Sequence, residues 1–110
     1  MTHTVTLIPG DGIGPEITAA TVRILEATGV KFAWERQEAG ADAFEKYHEY
    51  LPQDLIDSFE RTHVALKGPI TTPIGGGFSS INVALRKRFE LYANFRPIRN
   101  LPHIPTRDPD

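Results

Sequence analysis

The chain has 110 residues, 40% hydrophobic and 24% charged, an ordinary globular composition with enough apolar content for one small core. It holds no cysteine, which excludes disulfides and thiolate metal sites, and no apolar run approaches the roughly 20 residues of a membrane span. The net charge of −2 is laid out unevenly, with six Lys/Arg against eleven Asp/Glu over residues 1–80 and six against three over residues 81–110; this excludes a general nucleic-acid binder and gives the carboxyl-terminal end a local positive field suited to a small polyanion.

Met1-Thr2-His3-Thr4 leads directly into Thr4-Val5-Thr6-Leu7-Ile8 with no signal or transit segment, so a soluble, intracellular protein is expected. That β-branched run predicts a first strand, and Pro9-Gly10-Asp11-Gly12 predicts a tight turn after it. A helix should follow, with Pro15 at its first position and Glu16 complementing its dipole. Ile17, Ala20, Thr21, Ile24, Leu25 and Thr28 form its apolar stripe, and Gly29 stops it. The glycines of Gly10-Asp11-Gly12-Ile13-Gly14 sit between strand and helix but do not match G-x-G-x-x-G, because the third comes one place early; a Rossmann fingerprint is therefore rejected.

Residues 30–36 alternate apolar and polar and predict a second strand with Val30, Phe32 and Trp34 toward one side, Trp34 as a packing residue. Two short helices are expected over 42–50 and 53–61, parted by Leu51-Pro52, with Leu55, Ile56 and Phe59 buried and His48 on the surface. Residues 62–67 predict a third strand feeding the Gly68-Pro69 turn. The segment after that turn then lies beyond a strand's carboxyl end, the usual ligand position in an open α/β sheet.

Gly75-Gly76-Gly77 gives a freely turning backbone, and Ser79-Ser80 is placed to cap a helix starting near Ser80. Ile81, Leu85, Phe89 and Tyr92 make one apolar stripe, while Asn82 and Arg86 are i, i+4 neighbours on another face. Hydroxyls at a helix amino-terminus, a guanidinium one to two turns on and Arg96 beyond suit a carboxylate or phosphate. The remainder, with Pro102, Pro105 and Pro109, predicts coil.

Lys67-Gly68-Pro69, Thr71-Thr72-Pro73, Ser80-x-Asn82-x-x-Leu85-Arg86 and Leu91-Tyr92-Ala93-Asn94-x-Arg96-Pro97, together with the opening Gly10-to-Glu16 run, resemble the metal-dependent β-decarboxylating dehydrogenases of the isocitrate/isopropylmalate dehydrogenase family. The isocitrate members are nearest. The resemblance implies a three-layer α/β/α fold that is not Rossmann, residues 1–110 being the amino-terminal segment of the large α/β domain. The rest of a family member's chain is then absent, and residues 96–100 match a strand after the site helix.

By the same resemblance Ser80, Asn82, Arg86 and Arg96 hold the substrate's carboxylates, and Thr71, Thr72 and Asn82 lie against the nicotinamide side of NAD or NADP. Lys67 is supporting at most. No catalytic or metal residue is expected in this span: Glu90, Asp108 and Asp110 do not match the family's Mg²⁺ or Mn²⁺ aspartates. The reaction implied is oxidative decarboxylation of isocitrate to 2-oxoglutarate by a complete, homodimeric enzyme, the 110-residue chain alone being inactive. A non-catalytic regulatory subunit, an inactive fragment, and homoisocitrate, isopropylmalate or tartrate enzymes stand as alternatives; the Ser-x-Asn at 80–82 favours a third carboxylate over an isopropyl group. The expected location is the cytoplasm, or the mitochondrial matrix if a transit peptide has been removed, with no nucleic-acid or membrane partner.

Overall fold

In the computed structural model, which describes residues 1–71 and 80–107, β1 (Thr2–Ile8) is the middle of three parallel strands. It is flanked by β2 (Lys31–Arg36) and β3 (Ala65–Lys67) in the order β2-β1-β3. That order separates the sheet from a Rossmann half, in which the third strand would flank the second instead of the first. The four helices are α1 (Gly14–Ala27), α2 (Ala41–Tyr47), α3 (Gln53–Thr62) and α4 (Ile81–Arg88).

Pleat alternation sorts these helices into layers. Val5 pairs with Trp34 across β1 and β2, and the Trp34 indole donates to Glu26 of α1 at 3.0 Å, so α1 lies on that face. Thr6 pairs with Glu35, and both reach α3: the Thr6 hydroxyl meets Ser58 Oγ at 2.9 Å, Ser58 donates to Glu35 at 3.1 Å, and Arg61 pairs with the same carboxylate. The sheet is therefore sandwiched, an α/β/α arrangement. Val5, Thr6, Leu7 and Ile8 are all buried, as a central parallel strand covered on both faces must be. The core cluster joins Ile8, Leu55, Ile56, Ile70, Ile81 and Ala39 on the α3 side, with Leu85 of α4 and Phe89 at its C-cap packed against it.

Several elements differ from the sequence expectation. α1 has the expected extent, but Ile17 and Ile24 of its apolar stripe are exposed, and the residues it buries are Gly14 and Thr18. Close approach to the sheet decides this: a Cβ on Gly14 would stand 2.2 Å from Pro9 O, and one on Gly68 2.8 Å from Thr18 Oγ1. The small-residue face docks, and the stripe is turned away. β3 begins three residues later than expected because α3 runs through Thr62 and is closed by His63 at φ 59°. Likewise α2 ends at Tyr47, closed by His48 at φ 57°; His48 is exposed, as expected. Phe32 and Trp34 stack with ring centroids 4.7 Å apart, while Val30 stands outside β2 and is exposed.

α4 stops at Arg88, with Glu90 at φ 51° and the Leu91 amide donating back to Arg86 O at 3.0 Å, a left-handed helix ending. Tyr92 consequently falls beyond the helix and is fully exposed, so the apolar stripe ends at Phe89. Residues 96–100 form no strand here; they are irregular and exposed.

Candidate functional site

The carboxyl ends of β1 and β3 meet backbone to backbone. Gly68 N–H donates to Ile8 O at 2.7 Å and Asp11 N–H to Pro69 O at 3.1 Å. A Cβ on Gly10 would lie 1.9 Å from Pro69 O, so this crossing requires glycine. Asp11 is carried into the junction with only 6% of its surface exposed. Its Oδ1 accepts from the Thr71 amide at 2.8 Å and the Thr71 hydroxyl at 2.6 Å; its Oδ2 accepts from the Ala41 amide at the start of α2 at 3.1 Å. Burial alone would push its pKa up, but these hydrogen bonds outweigh burial and hold it below the ordinary carboxylate range.

Beside this junction, α3, β3 and α4 enclose a cavity of about 200 Å³. Its floor is apolar, including Leu55, Phe59 and Leu85, and its polar lining is Lys67, Asn82 and Arg86. Lys67 stands at the end of β3, and its ammonium donates to Gly68 O at 2.7 Å. By surface area Lys67 is exposed, yet protein crowding around its ammonium, and then the charge of Arg86, push its pKa down. The ion pairs among the described residues are Lys46–Glu38, Arg61–Glu35 and Arg88–Glu60. They leave Lys67 and Arg86 as adjacent, unneutralised cations. Asn82 adds a buried Oδ1 with no hydrogen-bond partner, an acceptor oriented for a donor that the described residues do not supply.

The basic triplet on α4 is thereby sorted. Arg88 pairs with Glu60 at 2.8 Å and lies 5.8 Å from the Phe89 ring centroid, while Phe89 packs on Phe59 at 4.1 Å; these contacts anchor α4 to α3. Lys87 is exposed, and Arg86 alone of the three lines the cavity. The apolar and polar faces of α4 are not separate, since Leu85 and Phe89 share the cavity wall with Asn82 and Arg86.

Ser80 occupies the N-cap position of α4, and its carbonyl accepts from Ala84 at 2.9 Å, but its hydroxyl makes no capping bond. The cap expected of it is not formed. Arg96 lies apart from the cavity in the exposed stretch after α4, donating to Asn94 at 3.3 Å. Thr71 is described and bound to Asp11; Thr72, the Gly75-Gly76-Gly77 run, Ser79, Asp108 and Asp110 lie outside the described residues. Among the described residues no three His, Asp or Glu side chains are grouped to hold a metal ion, and Glu90 is exposed. A divalent metal therefore does not fit the donors described. The Asn82 oxygen is an acceptor of the kind that a carboxamide N–H pairs with.

Asp11 is the residue that sequence reasoning missed, read there only as part of a tight turn. The available signal was a carboxylate between glycines just past a strand's end, where exposed backbone amides collect. No helix among the described residues is long and apolar enough to cross a membrane.

Comparison with known proteins supports the reading of the motifs. The chain is 52% identical over 103 residues to an NADP-specific isocitrate dehydrogenase of Thermus thermophilus, covering 93% of this chain and 21% of that protein. It is 47% identical over 104 residues to the corresponding enzyme of Haloferax volcanii, covering 91% and 25%. The crystal structure of isocitrate dehydrogenase from Methylococcus capsulatus superposes with a TM-score of 0.79 at 51% identity, covering 82% of this chain and 26% of that one. The chain thus spans about a quarter of the length of these relatives. The sequence profile of the isocitrate/isopropylmalate dehydrogenases matches residues 4–109, and with that superposable α/β/α fold and those motifs in place, this chain belongs to that family.

Proposed function

We propose that this chain is the amino-terminal segment of the large α/β domain of a homodimeric enzyme that oxidatively decarboxylates isocitrate to 2-oxoglutarate, with NAD or NADP and Mg²⁺ or Mn²⁺. The observation that carries the reading is the pair of unneutralised cations, Lys67 and Arg86, at one cavity with Asn82. Two like charges left adjacent raise each other's energy, and an anion placed between them relieves both. Arg86 can hold a carboxylate through two parallel N–H donors, Asn82 can donate through its amide nitrogen, and Lys67 adds a point charge. Ser80 stands at the start of the cavity's helix, and its hydroxyl makes no capping bond. Arg96 would join this set from the exposed stretch, and Thr72 from outside the described residues.

Held by its carboxylates, the substrate's C2–H can be turned toward the cofactor at near-attack distance, while Thr71 and Asn82 orient the ring. The nicotinamide supplies hydride acceptance when bound. The divalent metal's ligands and the proton-transfer groups are assigned to the remainder of the enzyme, so the 110-residue chain alone should show no turnover with isocitrate, Mg²⁺ and either cofactor. The supporting similarity is to relatives named as isocitrate dehydrogenases. The Ser-x-Asn at 80–82 favours isocitrate over isopropylmalate.

Substitution of Arg86 in the complete enzyme tests this. Arg86→Lys keeps the charge and loses the fork, so transition-state binding should weaken by roughly 2–5 kcal/mol, a fall in kcat/KM for isocitrate of about thirty-fold to several thousand-fold. Lys87→Ala, at a solvated position, should change little. Intact isocitrate turnover in Arg86→Lys, or a preference for isopropylmalate in the unsubstituted enzyme, would overturn the assignment. Isocitrate binding without turnover in the complete protein would identify a regulatory subunit.

A further inference from the structure

We propose that Asp11 is a positioning residue for cofactor recognition: by taking the Thr71 hydroxyl hydrogen it fixes that hydroxyl as an acceptor, set to receive an amide N–H from the cofactor's carboxamide. The proposal rests on the reading that Thr71 lies against the nicotinamide. An unconstrained threonine can donate or accept, and its hydrogen rotates to suit whatever approaches. Here that freedom is removed. Asp11 Oδ1, ionised and acceptor-only, lies 2.6 Å from Thr71 Oγ1 and 2.8 Å from the Thr71 amide, so both hydrogens of Thr71 point at one carboxylate. The lone pairs of Oγ1 are what remains for a ligand.

The carboxylate is itself pinned on every side. Its own amide is tied to Pro69 O at 3.1 Å, and its Oδ2 accepts the Ala41 amide at 3.1 Å, so that it serves α2 as a remote N-terminal cap. Gly40, at φ 89°, makes the approach possible, since a Cβ there would stand 2.4 Å from Asp11 Oδ2 and 2.9 Å from Ile70. Three chain segments, around residues 11, 41 and 71, therefore converge on this one side chain. Such a group acts through Thr71.

The test uses the complete enzyme and two cofactors: the natural nicotinamide dinucleotide and its 3-acetylpyridine analogue, which replaces the carboxamide NH₂ by a methyl group and so lacks the donor. The unsubstituted enzyme should bind the analogue at least tenfold more weakly. In Asp11→Asn the natural cofactor's KM should rise about tenfold, with kcat changed less, and discrimination between the two cofactors should collapse to within about twofold. Thr71→Val, which removes the hydroxyl and leaves Asp11 in place, provides a second route to the same collapse should Asp11→Asn not fold. Ser58→Ala, which breaks a buried hydrogen bond between α3 and β1 at a residue that makes no hydrogen bond to Asp11 or Thr71 among the described residues, should lower thermal stability and leave the discrimination intact. Amide hydrogen exchange at Thr71 and Ala41 should quicken at least tenfold in Asp11→Asn, with Thr6 unchanged. Full discrimination retained in both Asp11→Asn and Thr71→Val would overturn the proposal. Failure of the unsubstituted enzyme to oxidise isocitrate would instead remove the functional reading, and the exchange rates would still decide whether Asp11 holds Thr71.

Discussion

The two faces of β1 are buried alike and covered differently. On one, Thr6 and Ile8 are 0% and 2% exposed, tied to α3 through the Thr6 hydroxyl, which contacts both Ser58 and Thr62, and through the core around Leu55. On the other, Val5 and Leu7 are nearly as buried, but α1 docks by Gly14 and Thr18 and turns Ile17 and Ile24 outward. All three polar groups that line the cavity stand on the first side. The difference shows what fixes a binding group: Arg86 is held because its helix is locked to α3 by Phe59–Phe89 and Glu60–Arg88, whereas α1 is held to the sheet by close backbone approach at Gly14 and Thr18 and by the Trp34–Glu26 hydrogen bond.

The largest expected effect bears on the locked side. Ser80→Asp in the complete enzyme places a fixed negative charge where the substrate's carboxylates are proposed to sit, and should nearly abolish isocitrate binding. The helix should not suffer, because Asp is as good an N-cap as Ser and the native hydroxyl caps nothing. A near-normal Michaelis constant for isocitrate would remove Ser80 from the site; a collapse in thermal stability would show that Ser80 supports the fold.

The next effect measures the asymmetry itself. Leu55→Ala opens a void in the core and should cost about 2–5 kcal/mol in the 110-residue chain, read as a shift in denaturant midpoint. Ile24→Ala, at a position 69% exposed, should stay within about 0.5 kcal/mol. Equal losses would mean that α1 is as tightly packed as α3.

That contrast also marks how far the sequence could be read. Strand and helix placement followed from alternation and from the Gly and Pro signals, and α1 ends at the Gly29 turn as expected. Which face of α1 docks was not legible, because periodicity reports where apolar residues lie while docking here is decided by backbone contact at Gly14 and Gly68. The end of α4 was misplaced for a related reason. Glu90 takes the left-handed conformation that glycine usually provides, so nothing in the residue type announced that Tyr92 would fall outside the helix. In the candidate site, the i, i+4 relation of Asn82 and Arg86 was readable, and the structure places both at one cavity. Their juxtaposition with Lys67 depends on β3 ending against α4. Asp11 depends on three segments at once, residues 11, 41 and 71, and local pattern holds no record of such a meeting.

The smallest effect concerns that junction, where the buried carboxylate ties the strand ends to α2. The folded-state pKa of Asp11 is lowered, burial being outweighed by its hydrogen bonds from Thr71 and Ala41, so the unfolded chain binds the proton more readily than the folded one. The stability this contributes is therefore fully present above the unfolded value of about 3.9, and is lost as pH falls through that value toward the lower folded one. Asp11→Asn removes the titration and leaves a side chain of the same shape. The difference in unfolding free energy between the unsubstituted chain and Asp11→Asn should be constant from about pH 7 to pH 5, then shrink as pH drops below about 4. Denaturant titrations across that range measure it directly. A difference that grew on acidification would reverse the sign of the shift and show that burial, and not the Thr71 and Ala41 hydrogen bonds, governs this carboxylate.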